Sequence, residues 1–225
     1  MADFLAGKQQ LLNRWQQLHS EMIDADVRML AVSKYHSDEE VQTLAEVGQI
    51  DFAESRPQAL RDRAQKFSNL NWHMIGPVQK NKAKYVGKFA TMWHSLCDLE
   101  SAEAVAKSVQ GRQLPVLLQV NISGEQQKYG VAPEMAADLL EQVKLLEPLK
   151  VVGLMGMAAK GGDVRGSFRS LRLLRDQLGS ASLCELCMGM SGDYRIAIEE
   201  GSTMVRLGTA LFGAKAVEHG QAGII

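Results

Sequence analysis

The chain has 225 residues, of which 46% are hydrophobic and 23% charged, and its formal net charge is −1. That balance describes ordinary globular material with apolar side chains enough for one large core, and it gives no electrostatic reason to expect nucleic acid or an anionic membrane as partner. No run approaches the roughly 18 apolar residues of a membrane span, the N-terminus lacks the basic-then-apolar order of a signal peptide, and the three cysteines are too few for a secreted disulfide framework. The expected compartment is the cytoplasm.

The first segment, from about Asp3 to Met22, sets Leu11, Trp15, Leu18 and Met22 on one face at helical spacing. Eight strand-like runs then follow: 27–34, 50–55, 71–76, 91–96, 114–121, 150–157, 183–190 and 203–210. Several are apolar on both parities, as strands covered on both faces should be. Helical stretches fill the gaps. Ser37 with Glu40 forms a capping-box pair, Val41, Leu44 and Ala45 give the apolar face, and Gly48 closes that helix. Pro133 suits a first helical turn, before the stripe of Ala136, Leu139, Leu140 and Val143; Phe168, Leu171, Leu174 and Leu178 form another. The alternation predicts one domain over 1–225, a (β/α)₈ barrel with an extra N-terminal helix; a doubly wound open sheet is the competing architecture, because strand order is not written in one sequence. "CELC" has redox spacing, yet residues three apart in a strand face opposite ways, so Cys184 and Cys187 read as small buried hydrophobes.

In a barrel, chemistry belongs at the C-terminal ends of the strands. Lys34 ends the first run and shares its parity with Leu30 and Val32, so if those face the interior, Lys34 does too. An amine beside low-dielectric walls loses its proton more readily and can attack a carbonyl; the bland alternative is an ammonium that reaches water over the rim. At the far end, "MGMSGDY" and "VRLGTALFG" place Ser191, Gly192, Gly208 and Thr209 where strands pass into helices, and small residues there let backbone N–H groups approach an anion, or serve only as tight turns. Arg206 sits inside a strand, where an arginine needs a partner. Together these features suit a carbonyl compound bearing a phosphate: a sugar phosphate in a lysine-dependent aldolase, or pyridoxal phosphate.

Here the residues resemble a known family, the pyridoxal phosphate homeostasis proteins, relatives of the alanine racemase N-terminal barrel. "MLAVSK", "WHMIGPVQKNK", "HSLCDLESA", "LLQVNISGEQQKYG", "GLMGM", "FRSLRLLRDQL" and "MGMSGDYRIAIEEGSTMVRLGTALFG" match its motifs in order and spacing. The resemblance implies that Lys34 forms the internal aldimine with pyridoxal phosphate, that Ser191, Gly208 and Thr209 hold the phosphate, and that Arg206 faces the pyridine nitrogen. Asn121 and His73 are candidates to line the pocket, with a satisfied turn amide and a packed core imidazole as their alternatives; Lys128 is a candidate cation at the mouth, against a solvated lysine. The sequence departs from the family pattern at Ala53-Glu54-Ser55, where Gly-Glu-Asn is usual, at Pro77 in place of a histidine, and at Cys187 in place of a serine.

The racemising relatives add a β-rich domain that supplies a tyrosine base across a dimer. The sequence runs only a short way past its last predicted strand, so that domain is not expected here. Two-face proton transfer needs two positioned bases, and Lys34 serves one face. The expectation is therefore a monomeric carrier that binds the cofactor reversibly and passes it to apo-enzymes, with a weak amino-acid racemase as the competing reading and an aldolase behind it. Tyr35 and Tyr194 are the acid–base groups available to either enzyme.

Overall fold

A computed structural model describes residues 2–123, 129–159 and 161–214. Eight parallel strands close into a barrel in simple sequential order, which excludes the open sheet. They are β1 (Arg28–Val32), β2 (Asp51–Glu54), β3 (Asn71–Met74), β4 (Met92–Leu96), β5 (Leu114–Val120), β6 (Leu149–Gly156), β7 (Glu185–Met190) and β8 (Met204–Leu207). The helices are α1 (Ala2–Asp24), α2 (Asp38–Glu46), α3 (Pro57–Lys66), α4 (Ala83–Phe89), α5 (Leu99–Ala106), α6 (Ala136–Lys144), α7 (Val164–Leu178), α8 (Tyr194–Glu199) and α9 (Thr209–Phe212). Each strand-like run of the sequence corresponds to one of these strands; seven contain theirs, and β6 begins one residue ahead of its run.

The two parities of the strands fill two cores. Leu30, Val32, Ala53, Met92, Leu117, Met155, Cys187 and Met204 pack inside the barrel. Phe52, Trp72, Trp93, Val116, Leu118, Leu154 and Leu186 point outward into the larger shell beneath the helices. That division is why the strands are apolar on both faces. The capping box of α2 is present: Ser37 Oγ accepts from Glu40 N, and Glu40 Oε2 accepts from Ser37 N. Pro133 opens a short 3₁₀ turn that leads into α6.

The last helix of the ring, α9, has only four residues, and α1 covers the ground it leaves. Leu11, Trp15, Leu18 and Met22 are all buried, as their spacing predicts. Arg14 donates from Nε to Leu211 O (2.7 Å) and from Nη2 to Phe212 O (2.9 Å), satisfying carbonyls at the C-terminal end of α9. On the other flank Glu21 accepts from Tyr194 Oη (2.9 Å) and pairs with Arg195 of α8. Trp15 Nε1 donates to Gln49 Oε1 (3.1 Å), while Gln49 Nε2 donates to Met29 O and Asp51 O, so α1 also braces the approach to β2. Trp15→Ala removes a buried ring and leaves the Gln49 oxygen unpaired; urea unfolding should show a loss of about 3–5 kcal/mol with the m-value unchanged.

Candidate functional site

β1 ends at Val32, two residues before Lys34, because the chain turns there. His36 N donates to Ser33 O (2.9 Å), and Tyr35, third in that turn, has φ +71°. A left-handed backbone of this kind usually takes glycine or asparagine, and at a tyrosine it costs about 1–2 kcal/mol. Strain held by its surroundings is a mark of functional loops. Leu30 and Val32 face the barrel interior, and Lys34 stands exposed above them at the mouth. On the outward side of the sheet, toward α3, Ser33 Oγ donates to Glu54 Oε1 (2.9 Å), and Arg63 Nε lies 3.8 Å from the same oxygen. Burial pushes the Glu54 carboxyl above its usual range, against the Ser33 hydrogen bond and the charges of Arg63, Arg56 and Lys34.

Barrel closure brings the far end of the sequence to this place. β1 pairs with β8 so that Leu30 lies opposite Arg206 and Ala31 opposite Leu207. Gly208 follows directly, and a Cβ built on it would meet nothing nearer than Val32, at 3.8 Å. Thr209 opens α9 and is exposed; Ser191, in the turn after β7, accepts on Oγ from Ala210 N (3.0 Å). Gly189, just before that turn, has φ +93°, and a Cβ on it would lie 2.6 Å from Ala197 Cβ, so glycine is required there. Lys34, Ser191, Arg206, Gly208 and Thr209 thus gather at the C-terminal ends of three adjacent strands, β7, β8 and β1.

Arg206 is 4% exposed and points into the barrel. Its Nη2 donates to Gly156 O (3.1 Å) and Nη1 to Cys187 Sγ (3.7 Å); among the described residues it makes no ion pair with a carboxylate. The line of contacts continues down the interior. Cys187 Sγ lies 3.4 Å from His94 Nδ1, His94 Nε2 lies 2.8 Å from His73 Nδ1, and His73 Nε2 lies 3.1 Å from Asp51 Oδ1. Asn71 Nδ2 also donates to that oxygen (2.9 Å). Burial drives the His94 imidazole well below the ordinary histidine value, helped by His73 and Arg206, and burial pushes the Cys187 thiol up against the pull of Arg206. Burial opposes ionisation of Asp51, but its bonds with His73 and Asn71 outweigh it and hold the carboxyl below its usual range.

His73 therefore lies within the barrel, as a satisfied core imidazole bonded on both nitrogens rather than at the mouth. Asn121 directly follows β5, and its Oδ1 accepts from Ser123 N (3.3 Å) and Oγ (2.9 Å). Lys128 lies outside the described residues. Tyr194 is turned to α1 through Glu21, away from the mouth, and Tyr35 is exposed beside Lys34, whose Nζ lies 5.9 Å from its ring. Cys184 is exposed and Cys187 buried. Of the residues sequence reasoning passed over, Ser33 and Glu54 carry a signal, being polar side chains at the ends of apolar runs. His94 and Asp51 carry none without the register that aligns them with His73.

The match to known proteins agrees with this geometry. The chain belongs to the alanine racemase N-terminal domain family, whose profile covers residues 8–216. Within it the chain groups with the pyridoxal phosphate homeostasis proteins. The protein so named from Deinococcus radiodurans is 40% identical over 191 residues, covering 83% of this chain and 88% of its own. That from Synechocystis is 38% identical over 215 residues, covering 87% and 96%. Among solved structures, PipY of Synechococcus elongatus with PLP bound superposes at a TM-score of 0.81, with 29% identity, over 90% of this chain and all of that one. An alanine racemase from Clostridium difficile shares the fold at a TM-score of 0.76 and 16% identity, and this chain spans 58% of its length.

The interior groups set the response to acid. His94 and Asp51 have depressed values in the folded state, so their contribution is present above their unfolded values, about 6.5 and about 3.9, and is lost as pH falls. Glu54 has the opposite sign: its raised value costs stability as pH rises through it. His94→Gln should flatten the loss of stability as pH falls below about 6.5, measured by urea midpoints, whereas Glu54→Gln should remove an opposing loss as pH rises above about 4.3 and so gain relative to wild type at neutral pH.

Proposed function

We propose that the protein binds pyridoxal phosphate through Lys34 and serves as its intracellular carrier. The observation that carries this reading is the convergence of one exposed amine, one buried guanidinium and a cradle of small residues on three adjacent strand ends. The residues suit the group. Gly208 leaves the space of a Cβ open above Val32, Ser191 and Thr209 offer hydroxyls beside it, and Arg206 has N–H groups to spare. When bound, the cofactor supplies an aldehyde that an amine can capture reversibly and a ring that withdraws electrons.

In this reading Lys34 would hold the aldehyde end of the cofactor through Nζ, and the turn fixed at Tyr35 would keep that amine over the mouth. Ser191, Gly208 and Thr209 grip the phosphate. Arg206 would donate to the ring nitrogen; since an arginine keeps its own proton, it would leave that nitrogen unprotonated and the ring a weak electron sink. Glu54, held by Ser33 and beside Arg63, would brace the turn that carries Lys34. Asn121, at the end of β5, is proposed to line the mouth, whereas His73 reaches Arg206 only through His94 and Cys187.

The same geometry favours storage over turnover. Racemisation needs a second base facing Lys34 across the ring, and Tyr194 is committed to Glu21. The names of the curated relatives, homeostasis proteins, support a carrier. We infer a monomer in the cytoplasm that limits the free aldehyde and hands it to apo-enzymes.

Borohydride reduction of the cofactor-loaded protein followed by peptide mapping should place the label on Lys34, and Lys34→Ala should take none; a label elsewhere removes the assignment. Ser191→Ala and Thr209→Ala should each weaken binding about tenfold or more, the cost of one hydrogen bond to a charged oxygen. Amino acids incubated with the loaded protein in deuterated water should keep their α-hydrogens by NMR, whereas steady exchange would mark a racemase.

A further inference from the structure

The line of side chains inside the barrel joins its two rims. Asp51 is the first residue of β2, at the N-terminal rim, and is half-buried; Gly156, which accepts from Arg206, is the last residue of β6, at the C-terminal rim. Between them His73, His94, Cys187 and Arg206 come from four different strands and are each nearly inaccessible to water. Buried polar groups in such numbers weaken an apolar core unless every one is satisfied. Here every one is, and in a single direction.

The direction follows from the chemistry of the ends. A carboxylate only accepts, so His73 carries its proton on Nε2 and donates to Asp51. A guanidinium only donates, so Arg206 gives a hydrogen to Cys187 Sγ. Burial keeps the thiol protonated, and His94 Nδ1 is the acceptor within its reach. His94 then holds its one hydrogen on Nε2 and donates it to His73 Nδ1. Each hydrogen points from Arg206 toward Asp51, and the tautomer of both imidazoles is set by the link on either side.

Resting on the cofactor reading above, we propose that Cys187, His94, His73 and Asp51 are positioning residues that hold the Arg206 guanidinium in one orientation, with its remaining N–H groups turned to the ring nitrogen of the bound cofactor. Anchored by Cys187 on one side and Gly156 on the other, the guanidinium cannot swing toward the phosphate cradle or out to water. The chain also joins a buried cation to the carboxylate at the opposite rim without bringing the two into contact. Cys187 is the adaptable link, since sulfur accepts at the longer distance that the strand spacing leaves between Arg206 and His94.

The test is the visible absorption band of the pyridoxal phosphate-loaded protein together with its dissociation constant. Cys187→Ala and His94→Phe each break the chain and should shift the band and weaken binding about tenfold, the usual effect of stranding buried hydrogen-bonding groups. Cys187→Ser, which can still donate and accept, should restore both readouts to near the wild-type values. The double variant Cys187→Ala/His94→Phe should be no worse than the weaker single one, because the links act as a unit. Asp51→Val, at the accessible far rim, should shift the band as well, which a residue that only supports the fold would not do; it decides the question if the interior variants do not fold. Met204→Leu, in the same interior layer but outside the chain, is the control. Bands and affinities that stay at wild type, or that move no more than in Met204→Leu, overturn the relay while Lys34 is still labelled by borohydride. Loss of that label in wild-type protein instead overturns the cofactor reading, and the relay with it.

Discussion

The site exists because β1 and β8 hydrogen-bond to each other. The ladder that sets Arg28–Ala31 against Met204–Leu207 is the seam of the barrel, and it joins parts of the chain about as far apart in sequence as any two strands can be. Lys34 belongs to one side of the seam, Arg206, Gly208 and Thr209 to the other. If the sheet stayed open there, Lys34 and the small residues after β8 would lie at opposite edges of a twisted layer. Closing it removes the two edges, buries Leu30 and Met204 in the interior, and fixes the spacing of the reactive groups by backbone geometry rather than by flexible loops.

Polarity inside the barrel is arranged around the same seam. The interior apolar residues are small or flexible, several of them methionines, and they leave room for one continuous polar line. Two opposite environments result within a short distance. The Glu54 carboxyl, on the helix side of β2, is biased toward its neutral form by burial, while Asp51, at the other end of the strand, is held as the anion by its donors.

Much of this was legible in the residues. Eight apolar runs, the buried stripe of α1 and the capping box of α2 are local patterns, and local patterns survive translation into structure. Leu30 and Val32 share the interior parity expected of them, although the strand stops two residues before Lys34. That difference comes from the left-handed turn at Tyr35, a residue type that gives no warning of such a conformation. The interior chain was hidden for another reason. His73, His94, Cys187 and Asp51 sit on four strands, and only the register between strands decides that their polar atoms meet. His73, considered alone, was as plausible at the mouth as in the core.

The clasp between α1 and α9 bears on how the chain is made. Arg14 must wait for acceptors 197 positions later in the sequence, which at ordinary ribosomal speeds is about 10–40 s. Over that interval the nascent chain is a growing arc of sheet with two raw borders and an opening helix whose stripe is only partly covered. Such an intermediate is a natural client for chaperones, and any pause in elongation before β8 lengthens its exposure. Only when α9 has been made can Arg14 find its acceptors and the stripe of α1 its cover.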